Sequence, residues 1–65
     1  MNENQRAAYI ISQSICAMAE LMAMQAENAQ REHSGESMAY RETDFVEVID
    51  RYGLSHNSVL LYLHN

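Results

Sequence analysis

The side chains that could carry chemistry in this 65-residue chain are few and widely separated. His33, His56 and His64 are scattered, and the single cysteine, Cys16, has Glu20 one helical turn away. A zinc site needs several closely spaced His, Cys or carboxylate ligands, and a neighbouring carboxylate does not activate a thiol. We therefore expect no metal site, no bound cofactor and no nucleophilic cysteine.

Three acidic side chains, Asp44, Glu47 and Asp50, recur at three-residue spacing. A catalytic acid and base need a sheltered site in which their pKa values are tuned. Nothing in the surrounding sequence predicts burial, so these residues form a solvated helix face. We expect the protein not to be an enzyme.

The chain is acidic, with a formal net charge of −5, four arginines and no lysine. Binding to DNA or to anionic lipid draws on clustered Lys and Arg, so nucleic acid and membranes are unfavoured partners. One cysteine excludes an internal disulfide and favours a reducing compartment. No signal peptide is apparent, and the apolar stretch at residues 15–24 is too short to span a bilayer. We expect a cytoplasmic protein whose partners are proteins.

One long helix, predicted at about residues 4–33, positions Cys16, Glu20 and His33. The chain contains no proline, and its first glycine is Gly35. Such a helix is about 45 Å long, whereas a compact chain of this length forms a globule only about 28 Å across. The helix must therefore protrude or pack on a second molecule.

Apolar residues recur every three or four positions along this helix, which indicates one apolar stripe. Its large members, Ile11, Ile15, Met18 and Met22, also follow a heptad pattern. The opposite face carries the polar residues Gln13, Glu20, Glu27 and Arg31. The stripe is the predicted interface of a homodimer or higher oligomer.

Two short helices are predicted after a connector at residues 35–40. Helix 2 covers about residues 42–52, with either Arg41 or Thr43 as its N-cap, and Gly53 ends it. Helix 3 covers about residues 56–63 behind the cap residue Ser55, and its surplus apolar residues place Leu60 in the dimer interface. The predicted fold is a single all-α domain over residues 1–65, in which a helix–turn–helix hairpin folds back on helix 1.

Residues 45–63 are similar to a helix-turn-helix of DNA-binding proteins, with Gly53 at the turn and Val59 in the second helix. Two features depart from that motif. Ile49 occupies the usual alanine position, and the would-be recognition helix has no Lys or Arg. A DNA-binding regulator acting as a dimer is therefore the alternative function, with the structural use of the hairpin preferred.

The segments MQAEN at residues 24–28, GESMAY at 35–40 and YGLSHN at 52–57, together with Asp44-Phe45, resemble small early-region proteins of lambdoid phages and prophages. The closest group comprises the short reading frames between the exonuclease and excisionase genes. This resemblance implies a bacterial cytoplasm and a non-enzymatic role in which contacts with host proteins favour lytic development.

These observations together predict a protein–protein interaction module that works as a homodimer and contacts a host protein. The candidate partner-binding residues are the acidic pair Glu47 and Asp50 on helix 2, and Asn57 and Leu61 on helix 3.

Overall fold

The protein is all-α, as predicted. A computed structural model describes residues 1–64 and contains α1 (Glu3–His33), α2 (Glu42–Arg51) and α3 (His56–His64). The long first helix is confirmed, with bounds within one residue of those expected from the sequence. No strand occurs among the described residues.

Local hydrogen bonds define both ends of α1. At its start, the backbone N–H of Gln5 donates to Asn2 Oδ1 (2.8 Å) and the backbone N–H of Asn2 donates to Gln5 Oε1 (3.0 Å), which completes a capping box. At its end, Gly35 adopts a φ of +75°, and the N–H of Glu36 donates to the carbonyl of Arg31 (2.7 Å). Only glycine adopts that backbone conformation without strain, which is why the helix stops there.

The connector between α1 and α2 is held by the amide of one α1 side chain, Asn28. Its Oδ1 accepts the backbone N–H groups of Ala39 and Tyr40 (both 2.9 Å), and its Nδ2 donates to the carbonyl of Tyr40 (2.8 Å). Three hydrogen bonds from one side chain satisfy backbone groups that no helix satisfies. Asn28 therefore determines where the chain turns back along α1.

The N-cap of α2 is Arg41, which decides between the two caps left open by the sequence. Its backbone N–H donates to Asp44 Oδ2 (2.8 Å), the carboxylate arm of a capping box. Gly53, at φ +69°, ends α2 as expected, and the N–H of Leu54 donates to the carbonyl of Ile49 (2.9 Å). Ser55 precedes α3, and its Oγ accepts the N–H of Ser58 (3.4 Å).

The predicted hairpin of helices 2 and 3 is wrong. Within the described residues α1 contacts both α2 and α3, but α2 and α3 do not contact each other. They form one bent arm that runs antiparallel along α1, with α2 on its C-terminal half and α3 on its N-terminal part. The physical reason is the length of α1, which offers each short helix its own packing site.

The molecule is accordingly elongated, with extents of 49 × 17 × 11 Å. Its radius of gyration is 14.9 Å, against about 11 Å for a compact chain of this length. The bent arm covers one side of α1 along most of its length. The opposite side has no neighbour among the residues that the structure describes.

The core is correspondingly small. Over residues 1–63 three side chains are buried, Ala17 and Met24 of α1 and Val48 of α2. Partly buried apolar side chains surround them: Leu21, Tyr40, Phe45, Tyr52 and Leu54. Near the chain's start, α3 is held by Tyr62, whose ring lies 5.5 Å from that of Tyr9 and whose carbonyl accepts a hydrogen bond from Arg6 Nη1 (3.3 Å).

The polar face of α1 packs beside the bent arm. Gln13, Glu20, Glu27 and Arg31 are half-buried beside the arm. Gln13 Nε2 donates to the carbonyl of Tyr52 at 3.5 Å, and Glu20 pairs with Arg51. Polar groups tolerate a packed contact when they have hydrogen-bonding partners. Arg51 and Tyr52 supply those partners for Gln13 and Glu20. Arg31 Nε donates to Glu27 Oε1 within α1 (2.9 Å).

Candidate interaction surfaces

One face of α1 is apolar and exposed along the middle of the helix. Ile11, Ile15, Met18 and Met22 expose 59–65% of their surface. Their spacing of four, three and four residues aligns them on the side of α1 opposite Ala17 and Met24. We refer to these four residues as the apolar α1 face.

The exposed surface of the whole chain is larger than a monomer of this mass requires. The chain exposes 5163 Å², whereas a compact folded monomer of 7.5 kDa exposes about 4,200 Å². The excess of about 900 Å² is close to the roughly 800 Å² that each partner contributes to a standard protein–protein interface. The amount of uncovered surface thus matches one further contact of ordinary size.

The structure does not bring Leu60 together with the apolar α1 face. Ser58, Val59 and Tyr62 are half-buried on α3, and Leu60 lies on the outward side of that helix, 42% exposed. Since α3 packs on one side of α1 and the apolar α1 face lies on the other, no single flat interface contains all five predicted residues. The turn at Gly53 decides this orientation, which helical spacing alone does not reveal.

The candidate partner-binding residues all lie on the outward side of the bent arm. Glu47 and Asp50 are exposed on α2, and Asn57 and Leu61 are exposed on α3, with Leu61 66% exposed. Because α2 and α3 do not contact each other, these residues form two patches, one acidic and one mixed. The acidic patch also carries Val46, which is 50% exposed.

The shortest side-chain hydrogen bond among the described residues joins α1 to the bent arm, and sequence reasoning missed it. Glu20 Oε1 accepts a hydrogen bond from Arg51 Nη2 at 2.6 Å, and its Oε2 accepts one from the Tyr52 hydroxyl at 2.9 Å. Their separation of 31 and 32 residues explains why no local pattern signals it. This network joins α1 to the residues at the end of α2.

The same network gives the carboxyl of Glu20 a pH-dependent role. The hydrogen bond from Arg51, followed by that from Tyr52, lowers the pKa of Glu20 below its ordinary value of 4.5. A carboxyl whose pKa is lower in the folded state stabilises the fold above its unfolded pKa, and that stabilisation is lost as the pH falls through the folded value.

We therefore expect the Glu20→Gln variant to unfold at lower urea concentration than the parent protein near neutral pH. The difference should shrink toward zero in acid, where both proteins carry a neutral side chain at this position. Urea unfolding, followed by circular dichroism from neutral to acid pH, measures this difference in stability. Glu32→Gln, at an exposed position, is the control for net charge. A difference that does not change with pH would contradict the role assigned to Glu20.

The described part of the chain contains no candidate metal centre. No group of three or more His, Cys, Asp or Glu side chains there is placed to hold a metal ion. Cys16 is exposed on the flank of α1. The candidate sites of this chain are the exposed apolar and acidic surfaces described above.

The geometry also gives the helix-turn-helix comparison no support. In a DNA-binding helix-turn-helix, the first helix packs across the recognition helix and holds it in the major groove. Here α2 and α3 are separate along α1. The exposed residues of α3, which include His56, Asn57 and Leu61, contain no Lys or Arg to meet phosphates.

By length and composition alone, α1 qualifies as a membrane-crossing helix, since an 18-residue stretch of it has a mean hydropathy of 1.4. The stretch at residues 15–24, which was expected to be too short to span a bilayer, is only part of this apolar segment. Core helices of soluble proteins meet the same measure. Glu20 lies in α1 and is bonded to Arg51 and Tyr52, so crossing a bilayer would require it to lose those partners.

The chain matches no family model, no curated protein and no solved structure.

Proposed function

We propose that this chain is a non-enzymatic protein–protein interaction module that self-associates through α1 and binds a host protein through its bent arm. The observation that carries the proposal is the apolar α1 face, four large side chains exposed side by side on one rigid helix. Contiguous exposed apolar surface of this kind is typical of interaction sites. Self-association is the first use of that surface.

The acidic patch on α2 is the surface proposed for the host protein. Glu47 and Asp50 project from a helix whose opposite side is anchored on α1 through Val48. A rigid, negatively charged surface steers a basic partner by long-range attraction. Asn57 and Leu61 on α3 extend the contact with one polar and one apolar side chain.

The resemblance to early-region proteins of lambdoid phages is in keeping with this proposal. On that resemblance we propose that the chain acts in a bacterial cytoplasm, as a small non-enzymatic protein that occupies the surfaces of host proteins. The proposed outcome is that such binding favours lytic development.

Self-association is tested by the mass of the purified protein in solution. Light scattering at tens of micromolar should return about twice the 7.5 kDa of one chain. A single-chain mass at that concentration would remove the homodimer from the proposal.

Binding to a host protein is tested by affinity capture from bacterial lysate with the protein and two charge-reversed variants. We expect a specific host protein to be retained by the parent and lost by the double variant Glu47→Lys/Asp50→Lys. Glu32→Lys/Glu36→Lys makes the same change in charge at exposed positions away from the patch, and should retain that protein. Equal loss from both variants would show that net charge, and not this patch, determines binding.

A further inference from the structure

We infer that the apolar α1 face is covered by the same face of a second copy running antiparallel, with the two-fold axis passing between Ile15 and Met18. This inference rests on the proposed self-association and adds its orientation and register. In this arrangement Ile11 meets Met22 of the partner subunit, and Ile15 meets Met18 of the partner subunit.

The spacing of the four residues is self-complementary in the antiparallel direction. Positions 11, 15, 18 and 22 are symmetric about their midpoint, so reversing the helix places every large side chain opposite another large one. The midpoint lies near the centre of α1 (Glu3–His33). The two helices therefore overlap along almost their full length.

The side-chain types favour the antiparallel pairing over the parallel one. Antiparallel pairing places each stiff β-branched isoleucine against an adaptable methionine, which fills irregular gaps. Parallel pairing would align isoleucine with isoleucine at two successive heptad positions. That pattern favours coiled coils of three or more helices over a two-helix coiled coil. Exposed Ala8, Ala26 and Ala29 continue the same face and allow the helices to approach closely.

The charges at the two ends of α1 favour the same orientation. The first turn carries Glu3, and the last turn carries Arg31 and His33. A parallel pair would align both copies of Glu3 and point the two helix dipoles the same way. An antiparallel pair brings the acidic start of one helix to the basic end of the other and opposes the dipoles.

A lipid surface fits this face less well than a second copy does. Helices that lie in a membrane interface carry Lys and Arg beside the apolar face, whereas this chain has no lysine and a net charge of −5. The residues that flank the four large side chains are small or uncharged, including Ser14 and Ala19.

Disulfide cross-linking distinguishes the two orientations. In a Cys16→Ser background, Ile11→Cys and Met22→Cys variants are oxidised separately and after being refolded together from urea. We expect a cross-linked species only in the mixture, with one chain of each variant. Two copies of position 11 in an antiparallel pair lie about 16 Å apart along the axis, whereas a disulfide needs Cα atoms within about 7 Å.

Each other outcome overturns the inference in a distinguishable way. Cross-linking of each variant with itself would indicate a parallel dimer, and no cross-linking in a protein of two-chain mass would indicate a different interface or register. Light scattering of the Cys16→Ser parent separates these results from a single-chain mass, which would overturn the proposed self-association as well. Recovery of the protein with neutral lipid vesicles, and not as a dimer, would assign the face to a membrane.

Discussion

Replacing Met18 with aspartate should convert a folded two-chain species into a monomer that has lost most of its helix. Met18 lies at the centre of the apolar α1 face, and burying an unpaired carboxylate costs several kcal/mol. A chain that buries three side chains by itself has little stability in reserve. Light scattering gives the mass, and far-ultraviolet circular dichroism gives the helix content of the same sample.

Ser12→Asp is the matched control for this change. Ser12 is an exposed position of the same helix, about 120° around its axis from Met18, and the variant should remain folded and dimeric. A folded dimer of Met18→Asp would show that the interface lies elsewhere. A fully helical monomer would show that the bent arm is sufficient to hold α1 without a second copy.

Replacing Met24 with alanine should lower the free energy of unfolding by about 2–5 kcal/mol, the range for removing a buried methionine side chain. Met24 is 7% exposed and packs against the bent arm beside Ala17 and Val48. Because the described core contains so few residues, no other apolar contact replaces the one that is lost. Urea unfolding of parent and variant at the same protein concentration measures the change.

Met38→Ala removes the same atoms from a side chain that is 61% exposed in the connector. It should change the stability by less than about 0.5 kcal/mol, as surface substitutions usually do. Equal losses from Met24→Ala and Met38→Ala would contradict the packing of the bent arm on α1. An effect from Met24→Ala alone would support it, whatever the oligomeric state.

The helices and their ends followed from local sequence signals. Gly35 and Gly53 both adopt positive φ, and glycine is the residue that accepts this conformation without strain. The apolar stripe on α1 followed from helical periodicity, which depends only on the residue order. These features could be predicted because each is determined by residues within a few positions of one another.

Which side of α1 is covered by the rest of the chain is decided by contacts between residues far apart in the sequence. Glu20 accepts hydrogen bonds from Arg51 and Tyr52 of the bent arm, and the side chain of Asn28 binds the backbone of Tyr40. Without those partners a polar face is expected to meet solvent. With them it packs inside, and the larger apolar face is left outside.

The arrangement of α2 and α3 likewise depended on the whole chain. The turn at Gly53 is compatible with two helices that fold onto each other and with two that lie end to end. Because α1 is long enough for α2 and α3 each to pack on it, the end-to-end arrangement has the lower free energy. Periodicity therefore predicted which surfaces exist, whereas only the tertiary structure assigned them to the core or to a partner, because that choice depends on side chains brought together from far apart in the chain.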